Sequence, residues 1–160
     1  MSRPAVLIAT LCWLIAGCSG LKSYRSDYQK NLYINTQTDA SGWFSGVDAS
    51  LDIYRLQGDC DMHYQGTVEL GDVRVEVGVP TGEPAYLVFR FESSAFLANS
   101  RSSMSYDVTL NPRVGHVYDV SVKYHDNIYN VGVQEHLPGG TESQPMLLSE
   151  LDTNCGTRSS

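Results

Sequence analysis

Val47-Asp48-Ala49-Ser50-Leu51-Asp52-Ile53-Tyr54-Arg55-Leu56 alternates apolar and polar residues with a period of two. Successive side chains of a strand point to opposite faces. Val47, Ala49, Leu51 and Ile53 therefore share one face, and Asp48, Ser50, Asp52 and Tyr54 the other. This is a strand with one buried side, and the same pattern recurs on both sides of it. Val73, Val75, Val77 and Val79 alternate with Arg74, Glu76 and Gly78; Met104, Tyr106, Val108 and Leu110 repeat the spacing; so do Tyr118, Val120, Val122 and Tyr124. No stretch beyond residue 17 sustains an apolar period of 3.6 residues, so helices are not expected there.

Breakers divide these runs. Gly58-Asp59, Gly71-Asp72, Pro80-Thr81-Gly82-Glu83-Pro84, Asn111-Pro112-Arg113-Val114-Gly115 and Leu137-Pro138-Gly139-Gly140 each read as turns. Gly66 interrupts the run from Cys60 to Leu70 and predicts a bulge. Ala85–Phe91 (AYLVFRF) is nearly continuous in apolar residues and predicts a strand central in its sheet. The runs on either side of His125-Asp126-Asn127 predict a hairpin. The serine-rich Glu92–Ser103 segment is long for a hairpin loop and is expected to cross between sheets, with Phe96 against the core. Leu32–Thr36 predicts a first strand, and Pro145–Leu151 a short edge strand near the end. About seven to nine short strands with such spacing predict an all-β, antiparallel β-sandwich, Ig-like or transthyretin-like, spanning 31–160 as one domain.

Ahead of that domain, Ala5–Gly17 (AVLIATLCWLIAG) is uncharged and follows Arg3. Its 13 residues would make roughly 20 Å of helix, whereas a membrane core needs about 20 residues. The run is thus too short to span and fits the apolar region of an export signal over residues 1–17. Ile15-Ala16-Gly17-Cys18 resembles the lipobox of bacterial lipoproteins. The resemblance implies diacylglycerol transfer to the Cys18 thiol, cleavage before it and acylation of the new terminus. Two or three acyl chains give stable anchoring, where one gives marginal binding. By analogy with enterobacterial lipoproteins, Ser19 in place of Asp implies the outer membrane, with the domain in the periplasm. Residues 18–30 (Gly20–Lys30 being GLKSYRSDYQK) are expected as the lipidated terminus and a polar tether, with Lys22, Arg25 and Lys30 free to lie against anionic headgroups.

Export also bears on the remaining cysteines. Cys12 leaves with the signal and Cys18 takes the lipid, so Cys60 and Cys155 remain in an oxidising compartment. They are expected to pair, closing a loop of about 95 residues that the chain-entropy model values at roughly 4–5 kcal/mol. Metal ligation or a reactive thiol are the alternatives, although neither residue sits in a C-x-x-C or His-rich spacing. The whole chain has a formal charge of −7, and the only charged residue of the signal is Arg3. Lys and Arg are scattered, so the basic patch that nucleic acid demands is missing.

Few residues suggest chemistry. Asp59, Asp61 and His63 would share a strand face and offer a metal two carboxylates and an imidazole, but alternation turns Cys60, Met62 and Tyr64 inward and leaves the trio solvated. Turn formation accounts for His125-Asp126-Asn127. G-x-S-x-G, H-E-x-x-H, the P-loop and the dinucleotide fingerprint are all missing, so no cofactor, metal site or catalytic residue is assigned. The stronger lead is Trp43-Phe44, bracketed by Gly42 and Gly46, because an aromatic pair on a loop suits a protein contact or a glycan stack. Folding back onto the core is the bland alternative for that pair. The expected role is a lipid-anchored envelope protein acting as a non-catalytic binding or assembly component. The alternatives are a peptidoglycan-binding module using Trp43 and Phe44, or an envelope hydrolase whose active site is unidentified. Ile53-Tyr54-Arg55-Leu56 is also similar to an early I-Y-x-L element of small outer-membrane lipoproteins of type VI secretion systems, which pair a lipobox with a sandwich of similar size. That likeness covers only this element and the general layout, and implies an envelope protein partner.

Overall fold

The computed structural model of the protein describes residues 21–38, 45–57, 61–71, 74–95, 100–125, 128–138 and 143–146. Among these residues the chain forms β1 (Leu32–Thr38), β2 (Ser45–Gln57), β3 (Asp61–Glu69), β4 (Arg74–Val77), β5 (Ala85–Ala95), β6 (Ser100–Leu110), β7 (Val117–His125), β8 (Ile128–His136) and β9 (Ser143–Pro145). One sheet has the order β4-β1-β7-β8-β9 and the other β3-β2-β5-β6. Both contribute to a single core. Leu32, Ile34, Tyr118, Val120 and Val122 face inward from the first sheet; Leu51, Leu87, Phe89, Phe91 and Val108 meet them from the second. The protein is thus an all-β two-sheet sandwich, as the period-two runs predict.

The alternating runs settle largely where expected, except that Met104 and Tyr106, on the edge strand β6, are exposed while Val108 and Leu110 are buried. Ala49, Leu51 and Ile53 of β2 are buried. β5 lies between β2 and β6, so the AYLVFRF run is central in its sheet. β7 and β8 pair as a hairpin in register Val120↔Val133. The register of β2 against β3 shifts between Ile53 and Tyr54, where Gln65 is the extra residue beside Gly66.

Other expectations need correction. β1 runs parallel to β7, in register Leu32↔Tyr118, whereas all other strand pairs are antiparallel. The serine-rich segment does not cross between sheets. It extends β5 and opens β6, which pair continuously to Ala95↔Ser100. Glu92–Ala95 and Ser100–Ser103 hold no Gly or Pro, so nothing interrupts the ladder. Phe96 and Leu97 lie outside the described residues. The bulge turns Tyr64 onto the outer face of its sheet and leaves Met62 exposed, the reverse of the inward orientation expected for both. Among the described residues the last strand is β9, Ser143–Pro145; of the expected Pro145–Leu151 strand, residues 147–151 lie outside the described residues.

The segment expected as a tether is bound to the sandwich from Lys22 onward. The Thr67 amide donates to the Lys22 carbonyl, and the Tyr24 amide to the Thr67 carbonyl, both at 2.8 Å. The Tyr24 and Ser26 hydroxyls donate to the Gly78 carbonyl at 2.8 and 2.7 Å. Buried Asn31 then donates from Nδ2 to the Val79 carbonyl and accepts from the Val79 amide at Oδ1, each at 2.9 Å. Residues 22–31 thus form a strap from the β3 edge of one sheet to the β4 edge of the other. Two glycines admit it. A Cβ on Gly66 would stand 2.6 Å from the Tyr24 Cα, and one on Gly78 would collide with the Tyr28 carbonyl.

Candidate functional site

The outer face of the second sheet carries its densest polar and aromatic arrangement. Register alone assembles it: Asp52 pairs with Thr67 on β3 and Val88 on β5, while Tyr54 pairs with Tyr64 and Tyr86. The Tyr54 ring lies 5.4 Å from that of Tyr64 and 5.9 Å from that of Tyr86, both tilted. Such tilted pairs stabilise by about 0.5–1.5 kcal/mol beyond the area they bury. The Tyr86 hydroxyl donates to Asp107 Oδ2 at 2.8 Å. Burial and this carboxylate push its phenol up to about 12.

Asp52 was expected in solvent but is only 5% exposed. The Thr67 hydroxyl donates to its Oδ1, and Arg90 Nε donates to Oδ2 at 2.5 Å. Tyr64 is joined to the same chain through its 2.6 Å hydrogen bond with the Thr67 hydroxyl. The Asp52 hydrogen bond holds the Arg90 guanidinium above its ordinary range. Side chains from β3 and β5, the strands on either side of β2, thus hold a carboxylate on an outward position. Alternation assigns Asp52 its face but not its cover, because the cover depends on which strands become neighbours.

Beside this face, the strap and the start of β5 enclose a cleft of about 420 Å³, bordered by Tyr24, Arg25, Tyr28, Tyr54, Arg55 and Pro84 among others. Arg55 is already engaged there: Nε is 3.2 Å from Glu83 Oε2, and an Nη donates to the Tyr28 hydroxyl at 3.2 Å. The cleft therefore presents phenol rings, one further guanidinium, that of Arg25, and the carboxylate of Asp27.

A third cluster closes the same end of the sandwich. The Tyr118 hydroxyl donates to Glu135 Oε1 at 2.9 Å and accepts from the Arg113 amide at 2.9 Å. His116 Nδ1 lies 3.0 Å from the same carboxylate oxygen. Burial raises the Tyr118 phenol above its ordinary range. On the outer face of the first sheet, His136 Nε2 lies 2.7 Å from Asp119. His63 lies 3.4 Å from Asp61, both exposed, and Asp59 lies outside the described residues. Among the described residues, no group of three or more His, Cys, Asp or Glu could hold a metal.

Cys18, Trp43, Phe44, Cys60 and Cys155, on which the sequence concentrates attention, all lie outside the described residues. So do residues 1–17, Asp126 and Asn127, and the side chain of His125. Thr38 and Ser45, the described residues on either side of Trp43 and Phe44 in the sequence, stand at the end of the sandwich opposite the strap.

No family model matches this chain, and no curated protein matches it. Among solved structures the chain is similar to sea bream transthyretin in complex with thyroxine. The two share 9% identity and a TM-score of 0.42, over 70% of this chain and 99% of that one. At that level of similarity neither a family nor a ligand follows.

Proposed function

We propose that the protein is a lipid-anchored component of the bacterial cell envelope whose sandwich binds or assembles with a protein partner and carries out no catalysis. The anchor rests on Ile15-Ala16-Gly17-Cys18. The observation that carries the non-catalytic role is how the described polar clusters are occupied. Asp52 neutralises Arg90 and accepts from Thr67, and Glu135 accepts from Tyr118 and pairs with Arg113. Each cluster joins strands or loops of the fold. The position of the strap is compatible with processing, since every described backbone bond of the N-terminal segment involves Lys22 or a later residue. Cleavage before Cys18 leaves them intact.

Trp43 and Phe44 are the proposed partner contact, Cys60 and Cys155 the proposed bridge, and the outer membrane the proposed location. Cys18→Ala tests the anchor: acyl label and detergent partitioning are expected to be lost, and a protein that stays membrane-bound without this thiol would overturn it. Mass spectrometry under non-reducing conditions should find a Cys60–Cys155 peptide; two free thiols would remove the bridge. Affinity capture from solubilised envelopes should recover a partner that Trp43→Ala with Phe44→Ala loses. Once the signal and its Trp13 are gone, Trp43 is the one tryptophan left. A change in its fluorescence on adding cell-wall fragments, with no protein captured, would replace the assembly role with glycan binding.

A further inference from the structure

We infer that one end of the sandwich, led by Val114 and Leu137, rests on the lipid surface that holds Cys18. This orientation rests on the lipoprotein reading above and adds a contact surface to it. Ser23 bridges Thr67 in parallel, so the chain preceding Lys22 heads towards the end where β3 begins. Four peptide steps separate Cys18 from Lys22, a reach of at most about 14 Å. With the strap fixed by the Thr67 and Gly78 bonds, an acylated Cys18 has too little chain to hold the domain far from the bilayer.

The end nearest the anchor is also the one suited to meet lipid. The starts of β1, β3, β5 and β7 and the ends of β2, β4, β6 and β8 gather there. Val114 projects from the β6–β7 turn with 79% of its surface exposed, and Leu137 follows β8 at 40%. The two turns touch, because a Cβ on Gly115 would stand 3.2 Å from Pro138 Cγ. Tyr28 and Lys30 border one recess with Val114. Exposed aliphatic tips flanked by a tyrosine and Lys30 have the composition of an interfacial contact, with a phenol and a cation at headgroup level, while Arg113 is paired with Glu135 at 3.7 Å. Glu83 neutralises Arg55 at this end, so the contact is chiefly apolar. With the domain so oriented, Thr38 and Ser45 stand at the far end of strands as long as the 13-residue β2, about 40 Å from the lipid at ~3.3 Å per residue.

The test uses the full chain, expressed with its leader, purified from membranes and reconstituted into vesicles of phosphatidylethanolamine with a minor share of phosphatidylglycerol. The mass of the N-terminal peptide reports acylation. Hydrogen exchange is then compared between this protein and its Val114→Glu, Leu137→Glu variant on the same vesicles. Both sites are exposed, and an unchanged urea midpoint establishes that the variant folds. Protection of Arg113–His116 is expected in the wild type and its loss in the variant, with Ser103–Tyr106 unaffected. Equal exchange at Arg113–His116 in two acylated, vesicle-bound proteins would overturn the orientation and leave the anchor standing. An unacylated Cys18 would overturn both.

Discussion

Asp52 shows how one residue is governed by its neighbours rather than by its place in the pattern. A carboxylate buried to this extent must be hydrogen-bonded or paired, and here Thr67 and Arg90 do both. Asp52→Ala removes the acceptor shared by Thr67 and Arg90 and leaves the Thr67 hydroxyl with Tyr64 alone, a loss of about 1–3 kcal/mol, measurable as a lower urea midpoint. Half-exposed Arg90 recovers water, which holds the cost within that range. Tyr86 makes a prediction in pH. Its native phenol is raised to about 12 by burial and Asp107, against 10.0 when unfolded. The stabilisation is therefore complete below pH 10 and is lost as pH rises through 12, because the unfolded chain ionises first. Urea titrations between pH 9 and 12, values bracketing that window, should show stability falling, and the fall should be shallower in Tyr86→Phe.

At the scale of elements, the strap is where sequence and structure diverge most. GLKSYRSDYQK has no apolar period, so alternation says nothing of it. Its hold comes instead from backbone bonds to Thr67, hydroxyl bonds to Gly78 and the paired bonds of Asn31, none of which depends on a hydrophobic stripe. The one advance sign is the pair of glycines it crosses, Gly66 and Gly78, whose reason becomes visible only when the strap lies on them. Gly66→Ala should cost about 1–3 kcal/mol, since it also meets φ +148°. Both Gly66→Ala and Gly78→Ala should raise hydrogen exchange at Tyr24 and Thr67 more than at Val120. Uniform loss of protection would mean that the strap is not a separable element. The strands themselves were legible, because burial on one face imposes a period of two on Ala49, Leu51 and Ile53. The parallel β1–β7 pair was not, since neither strand carries a mark of its partner's direction. That Glu92–Ala95 and Ser100–Ser103 stay in one sheet was not legible either, because serine neither favours nor forbids a ladder. The site was less legible than the fold: Tyr54, Tyr64 and Tyr86 meet through register, and register requires the turns and bulge to be known first.

For the whole molecule, the decisive fact is that both sheets share one core. Phe89 is fully buried and central in its sheet, so Phe89→Ala should cost about 3–5 kcal/mol. Near-ultraviolet dichroism and tyrosine fluorescence should still report one coincident transition. Two separated transitions would mean that the sheets unfold independently.

The placement of β1 has a kinetic consequence. Its partners are Val77 on one side and Tyr118 on the other, and Leu32 and Tyr118 lie more than half the chain apart. The hairpins β2–β3, β5–β6 and β7–β8 close locally and can form as they emerge. The first strand must wait for β7, leaving an open slot between β4 and β7 until late in synthesis or export. High contact order of this kind slows folding. A chain fixed at its N-terminus before that slot is filled would have to complete its sheet while already attached.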